Sequence, residues 1–302
     1  MTVQHSLGAR VDSEPEAKLD RMRRELEEHA DPVFRTRVAE YSQQDMGRFL
    51  GVRTPLVRSV SAQYFTEIRS LGIDRVLELC EELLATGVSE LRTIAFDWGF
   101  RCRRQHKPGH FAVFERWLKV YVDGWGSCDD LCTHALGDFV LRYPESMARA
   151  KAWARAENRW LRRASAVTLI YGARRGELLE DVFEVADALL TDPDDMVQKG
   201  YGWMLKVASK THQDEVYSYV QRNREVMPRT ALRYAIEKMP EHRRREAMRK
   251  PKGHGIPCPQ QSVLTPPDRA MRPQPHSRPE AVHRFPRGRP RPATPGRSRS
   301  KR

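Results

Sequence analysis

The chain has no apolar run of 18 residues, so the sequence offers no candidate for a membrane-spanning helix. Residues 1–14 contain no apolar h-region, which argues against a secretory leader. Its five cysteines, at 80, 102, 128, 132 and 258, are odd in number and scattered. That excludes a disulfide framework and suits a reducing compartment, so the expected location is cytoplasmic, or nucleoid-associated in a bacterium. There is no P-loop, no GxGxxG after a strand and no GxSxG elbow, which leaves nucleotide-binding and serine-hydrolase readings without an anchor. Zinc spacing is missing too. Cys128 and Cys132 lie four apart near His134 but have no second pair, and they read as small packing residues. No metal and no cofactor is expected.

What is present is charge: 31% of residues are charged against 39% hydrophobic. The net charge of +13 is unevenly spread. Residues 251–302 hold 12 Lys and Arg against 2 acids, and 12 of the 20 prolines. Residues 1–250 hold 41 against 38, a net of +3. The tail has little to bury and reads as disordered, either a solubilising appendage or a sequence-independent DNA tether. The expected organisation is a flexible stretch over 1–14, a folded body over 15–250 and the basic tail over 251–302.

The body reads as helix after helix. Ile73, Val76, Leu77, Cys80, Leu83 and Leu84 form a stripe with helical period. Leu91, Ile94, Ala95 and Trp98 repeat it, as do Leu178, Leu179, Val182, Val185, Ala186 and Leu189. No run alternates with period 2. Asp31-Pro32, Thr54-Pro55 and Asp192-Pro193 mark helix starts. Gly51, Gly72, Gly87, Gly124, Gly172 and Gly176 mark breaks. Helix pairs recur every 35–45 residues or so, the scale of HEAT-type repeats. The fold class is all-α. On periodicity alone a superhelical stack and a compact bundle both remain open.

Three clusters could carry chemistry. Trp125 and Asp129 lie four apart on a helix opening after Gly124, so they share a face. A carboxylate beside an aromatic plate suits a developing cation. The same residues also read as a core tryptophan, with Asp129 or Asp130 favouring the helix dipole. The Asn158–Arg163 stretch gathers Arg159, Arg162 and Arg163 at a helical start, suited to phosphates or to a solvated face. Trp203 and Lys206 follow Gly200 and Gly202, which admit a closely approaching ligand or a packed helix.

The order of FLGVRTPLVR (49–58), WGSCDDLCTHALGDFVLRYPE (125–145), WLRRASAV (160–167) and QKGYGWMLKVASK (198–210) resembles the AlkD-like DNA alkylation repair glycosylases over about residues 30–245. The resemblance implies a superhelical stack of HEAT-like repeats with a groove for duplex DNA, and excision of cationic N3- and N7-alkylpurines without a cofactor. By position, Asp129 matches the catalytic aspartate, and Trp125 and Trp203 match the tryptophans of the lesion cleft. Tyr41 matches a cleft tyrosine. Arg163, with Arg162 as competitor, matches a DNA-contacting arginine, and Lys206 stands where the family has another. Gly124 and Gly126 replace a second tryptophan and an acid around Trp125. The partner so implied is duplex DNA carrying alkylated purines, met by a monomer with no membrane association. A HEAT-like module that binds damaged or branched DNA without catalysis is the alternative.

Overall fold

The computed structural model describes residues 8–41 and 48–249, with side chains for 14–40 and 48–249. Fifteen α-helices are formed among them: α1 Gly8–Glu28, α2 Pro32–Tyr41, α3 Thr54–Ile68, α4 Ile73–Ala85, α5 Ser89–Arg101, α6 Phe111–Tyr121, α7 Trp125–Leu131, α8 Gly137–Arg142, α9 Met147–Ala152, α10 Arg159–Ala173, α11 Leu179–Ala188, α12 Asp195–Ala208, α13 Gln213–Asn223, α14 Arg229–Ile236 and α15 Glu241–Met248. One π-helical turn, Cys132–Leu136, joins α7 to α8. Among the described residues the only β feature is an isolated bridge from Arg48 to Val88.

The helices form two layers. The inner row runs α3, α5, α7 with α8, α10, α12 and α14, each packed on its neighbour. Their first residues are Thr54, Ser89, Trp125, Arg159, Asp195 and Arg229, a step of 34 to 36 residues. That regular step makes the chain an all-α stack of helical repeats rather than a compact bundle. Helices α4, α6, α9, α11 and α13 lie behind the row. The stripe on α4 is buried as its spacing requires, with Leu79 added to it. Trp98, Trp117, Phe96, Phe111, Phe114 and Phe139 fill the middle of the stack.

Several helix boundaries differ from the sequence expectation. α1 begins at Gly8, inside the stretch expected to be flexible; its buried stripe of Leu19, Met22 and Leu26 lies in the later turns, and the first turns carry no apolar period to read. Asp31 caps α2 through the Phe34 N–H at 2.9 Å, as expected. The cap of α12 is Asp194, which accepts from Met196 and Val197, while Asp192 is drawn off to bind Arg162. Thr54 is already helical, with Arg53 in the extended cap position. Gly172 continues α10, where a Cβ would lie 2.5 Å from Leu178. The expected disordered tail, 251–302, lies outside the described residues.

Candidate active site

Gly124 enters α7 in an extended conformation, and its N–H donates to Ser127 Oγ at 3.3 Å. The first turn of α7 opens at Trp125. Trp125 stands there 52% exposed, one turn before Asp129. Both line a cavity of about 930 Å³, walled by Phe34, Phe49, Val57 and Phe96. Residues at the starts of α3, α5, α7 and α12 reach the same cavity: Thr54, Ser89, Trp125 and Met196. Helix N-termini turn their partly positive ends that way.

Asp129 is fixed from α10. Arg163 Nε donates to its Oδ1 at 2.9 Å and Nη2 to its Oδ2 at 2.8 Å. The third arm of the guanidinium, Nη1, donates to the Met196 carbonyl on α12. Arg163 is buried, and Gly200 lets its stem pass, since a Cβ there would sit 3.1 Å from Arg163 Cγ. Burial holds the Asp129 carboxyl above its ordinary value, and the hydrogen bonds and charge of Arg163 offset that only in part. The carboxylate is thus a fixed negative charge in a half-dry cleft.

The neighbouring carboxylate has its own network. Asp130 Oδ1 accepts from Arg58 Nη2, and Arg58 Nη1 lies 3.5 Å from Asp97 on α5. Asp97 also accepts from Arg101 Nε at 2.6 Å and from Ser61 Oγ at 2.5 Å. The exposed ring of His134 bonds the Asp130 carbonyl at 2.9 Å through Nδ1, 3.5 Å from the carboxylate. Above this, Glu90 is buried and accepts three backbone N–H groups, from Leu50, Gly51 and Val52, at 3.1, 3.0 and 3.0 Å. It pins the segment that forms one wall of the cavity.

The structure brings together Trp125, Asp129 and Arg163. Arg163 is there a buried guanidinium whose donors go to Asp129 and Met196. Arg162 is engaged as well, with Nε on Asp192 at 2.6 Å and Nη1 on the carbonyls of Ala156 and Glu157. The exposed cation of that cluster is Arg159, paired with Asp194 and stacked over Trp160 at 4.9 Å. Lys206 is paired with Glu237 at 2.9 Å. Trp203 is partly buried against the core on the face of α12 that carries Met196 and Gly200, outside the residues that line the cavity. Tyr41 ends α2, and its side chain lies outside the described residues. Asp130, Arg58, Asp97 and Glu90 were assigned no functional role from sequence. Their only local signals are the Asp129-Asp130 doublet and the four-residue spacings of Asp97 to Arg101 and Asp130 to His134. Cys128 and Cys132 are both buried, and among the described residues no three His, Cys, Asp or Glu side chains gather as for a metal.

The family model described as DNA alkylation repair enzyme matches residues 22–239, most of the chain and all of the cleft. The chain belongs to the DNA alkylation repair enzyme family. Membership gives this repair protein a role in DNA alkylation repair, with DNA as its partner. Among solved structures it is similar to one titled a predicted DNA alkylation repair enzyme from Enterococcus faecalis. The TM-score is 0.63 at 18% identity, covering 70% of this chain and 98% of that one. At that identity the likeness is one of fold. Comparison with curated proteins found no match. No helix among the described residues is long and apolar enough to cross a membrane.

Proposed function

We propose that this repair protein is a monofunctional DNA glycosylase, a monomeric HEAT-like hydrolase that removes cationic N3- and N7-alkylpurines from duplex DNA in base excision repair. The observation that carries the reading is the Asp129 carboxylate, held at both oxygens by Arg163 beside the exposed face of Trp125. An alkylated purine that already bears positive charge leaves readily. As the N-glycosidic bond stretches, positive charge moves onto the deoxyribose. A fixed carboxylate stabilises that centre without reorganising, and the indole face adds cation–π attraction and shields the sugar from bulk water. Arg37, exposed on the cavity rim with no ion pair among the described residues, and Arg159 are the cations suited to flanking phosphates. The cleft lining includes no lysine to form a covalent adduct, so release of the base leaves an abasic site in an intact strand.

The test is release of free 7-methylguanine from methylated duplex DNA by the purified full-length chain. The expected result is time-dependent release by the wild type and a fall of about 100-fold or more in Asp129→Asn with DNA affinity retained. Binding of damaged duplex with no release by the wild type would establish the non-catalytic alternative instead.

A further inference from the structure

We propose that Asp130 is a second catalytic carboxylate of this site, the group that takes the proton from the attacking water. This rests on the glycosylase reading above. Asp129 and Asp130 are consecutive on α7 and both line the cavity, but they are tied back in different ways. Arg163 occupies both oxygens of Asp129. Protonating that carboxylate would break a two-pronged ion pair, so it serves as a charge and poorly as a base. Asp130 gives only Oδ1 to Arg58, and its Oδ2 accepts no hydrogen bond from any described residue. Its side chain keeps 16% exposure, enough for a water to reach it.

The charges that face Asp130 come from three elements. Arg58 on α3 divides one guanidinium between Asp130 and Asp97. Asp97 on α5 repels a negative charge on Asp130, although Arg101 partly neutralises it. On its own side lie Asp129 and, one turn later within the π turn, His134. Burial first, and Asp97 in addition, raise the proton affinity of Asp130 against the opposing pull of Arg58 and His134. The adjacent carboxylates thus divide the work: Asp129 meets the cationic sugar and Asp130 receives the proton.

The step balances. The C1′–N bond breaks and its electron pair leaves with the purine, which becomes neutral. Water oxygen bonds to C1′, its proton passes to Asp130 Oδ2, and Asp130 later returns that proton to solvent.

The experiment measures single-turnover release of 7-methylguanine from duplex DNA between about pH 4 and pH 8, less the spontaneous rate. It compares wild type, Asp130→Asn, Asp130→Glu, Asp129→Asn and His134→Gln, each with its DNA affinity and melting temperature. The wild-type rate should rise with pH to a plateau, because a base works only when deprotonated. Asp130→Asn keeps Oδ1 for Arg58; its plateau should fall about 100-fold and the rising limb should vanish, with affinity and fold retained. Asp130→Glu should recover the limb and His134→Gln should keep it. A wild-type rate and limb in Asp130→Asn, or a limb that disappears in His134→Gln, overturns the proposal while leaving the glycosylase reading intact. A wild type that releases no base overturns both.

Discussion

Arg163 and Asp129 meet across the gap between α10 and α7 in a two-pronged pair, Nε to Oδ1 and Nη2 to Oδ2, with the guanidinium buried behind the carboxylate. The arginine therefore acts on the cleft through Asp129. It sets where the negative charge points and how tightly it is held.

Arg163→Gln should leave Asp129 buried without a counter-charge, which costs about 3–5 kcal/mol of stability. The Asp129 carboxyl should titrate at higher pH than in the wild type, since its main stabiliser is gone and burial remains. Arg163→Lys keeps the charge but loses the fork, and should fall between the two in stability and in excision. Urea unfolding and the carboxyl titration followed by NMR read both effects.

Trp125 and Trp203 should separate by stability. Trp125 is half exposed, so Trp125→Ala should shift stability by no more than about 0.5 kcal/mol while lowering excision by about 10-fold or more. Trp203 packs against the core, so Trp203→Ala should cost a few kcal/mol as well as activity. Melting temperatures measured beside single-turnover rates distinguish them. An unchanged rate in Trp125→Ala would remove it from the cleft chemistry.

Glu90→Gln places an amide where three backbone N–H groups converge. The amide NH₂ cannot accept, so at least one donor loses its partner, at a cost of about 1.5–3 kcal/mol. Gly51, held by this clamp at φ +95°, should tolerate alanine no better, because a Cβ would lie 2.5 Å from the Asp31 carbonyl oxygen. Hydrogen exchange at Leu50, Gly51 and Val52 should accelerate in Glu90→Gln.

His106 should give the fold an acid-sensitive component. Its ring is buried, bonds the Gly99 carbonyl at 3.0 Å, and is pushed down to about 4 from 6.5, mainly by burial. The unfolded chain binds a proton there that the folded chain refuses. The stabilisation is therefore complete above about pH 6.5 and is lost as pH falls through about 4, amounting to about 3 kcal/mol. Melting temperature against pH should flatten in this window in His106→Gln.

Most of the helices were legible because they bury a stripe whose period is local. The α4 stripe and the repeat-scale spacing need no knowledge of the rest of the chain. Trp125 and Asp129 were legible for the same reason, since one helical turn joins them. The partners were not. Nothing in the run of arginines at the start of α10 marks Arg163 as the one that turns inward to Asp129. Arg58 and Asp130 are 72 residues apart, and only the stacking of α3, α5 and α7 brings them together. Lys206 gives no local sign that Glu237, on the next repeat, will claim it. Asp194 displaced Asp192 as the cap of α12 because Arg162, from another helix, competes for Asp192. Tertiary competition of this kind does not show in spacing.

The π turn at Cys132–Leu136 holds one residue more than an α turn would. It works as a phase shift in a rotating shaft. Upstream, the aim of Asp129 is clocked by the cleft; downstream, Phe139 and Gly137 are clocked by the core and by the close approach of Tyr171. Removing a single residue from the turn would wind the segment into uninterrupted α-helix and swing α7 by about 100° against α8. The carboxylate would then face away from Arg163 while the downstream packing stayed in register. One surplus residue thus lets the cleft edge and the supporting stack be tuned independently.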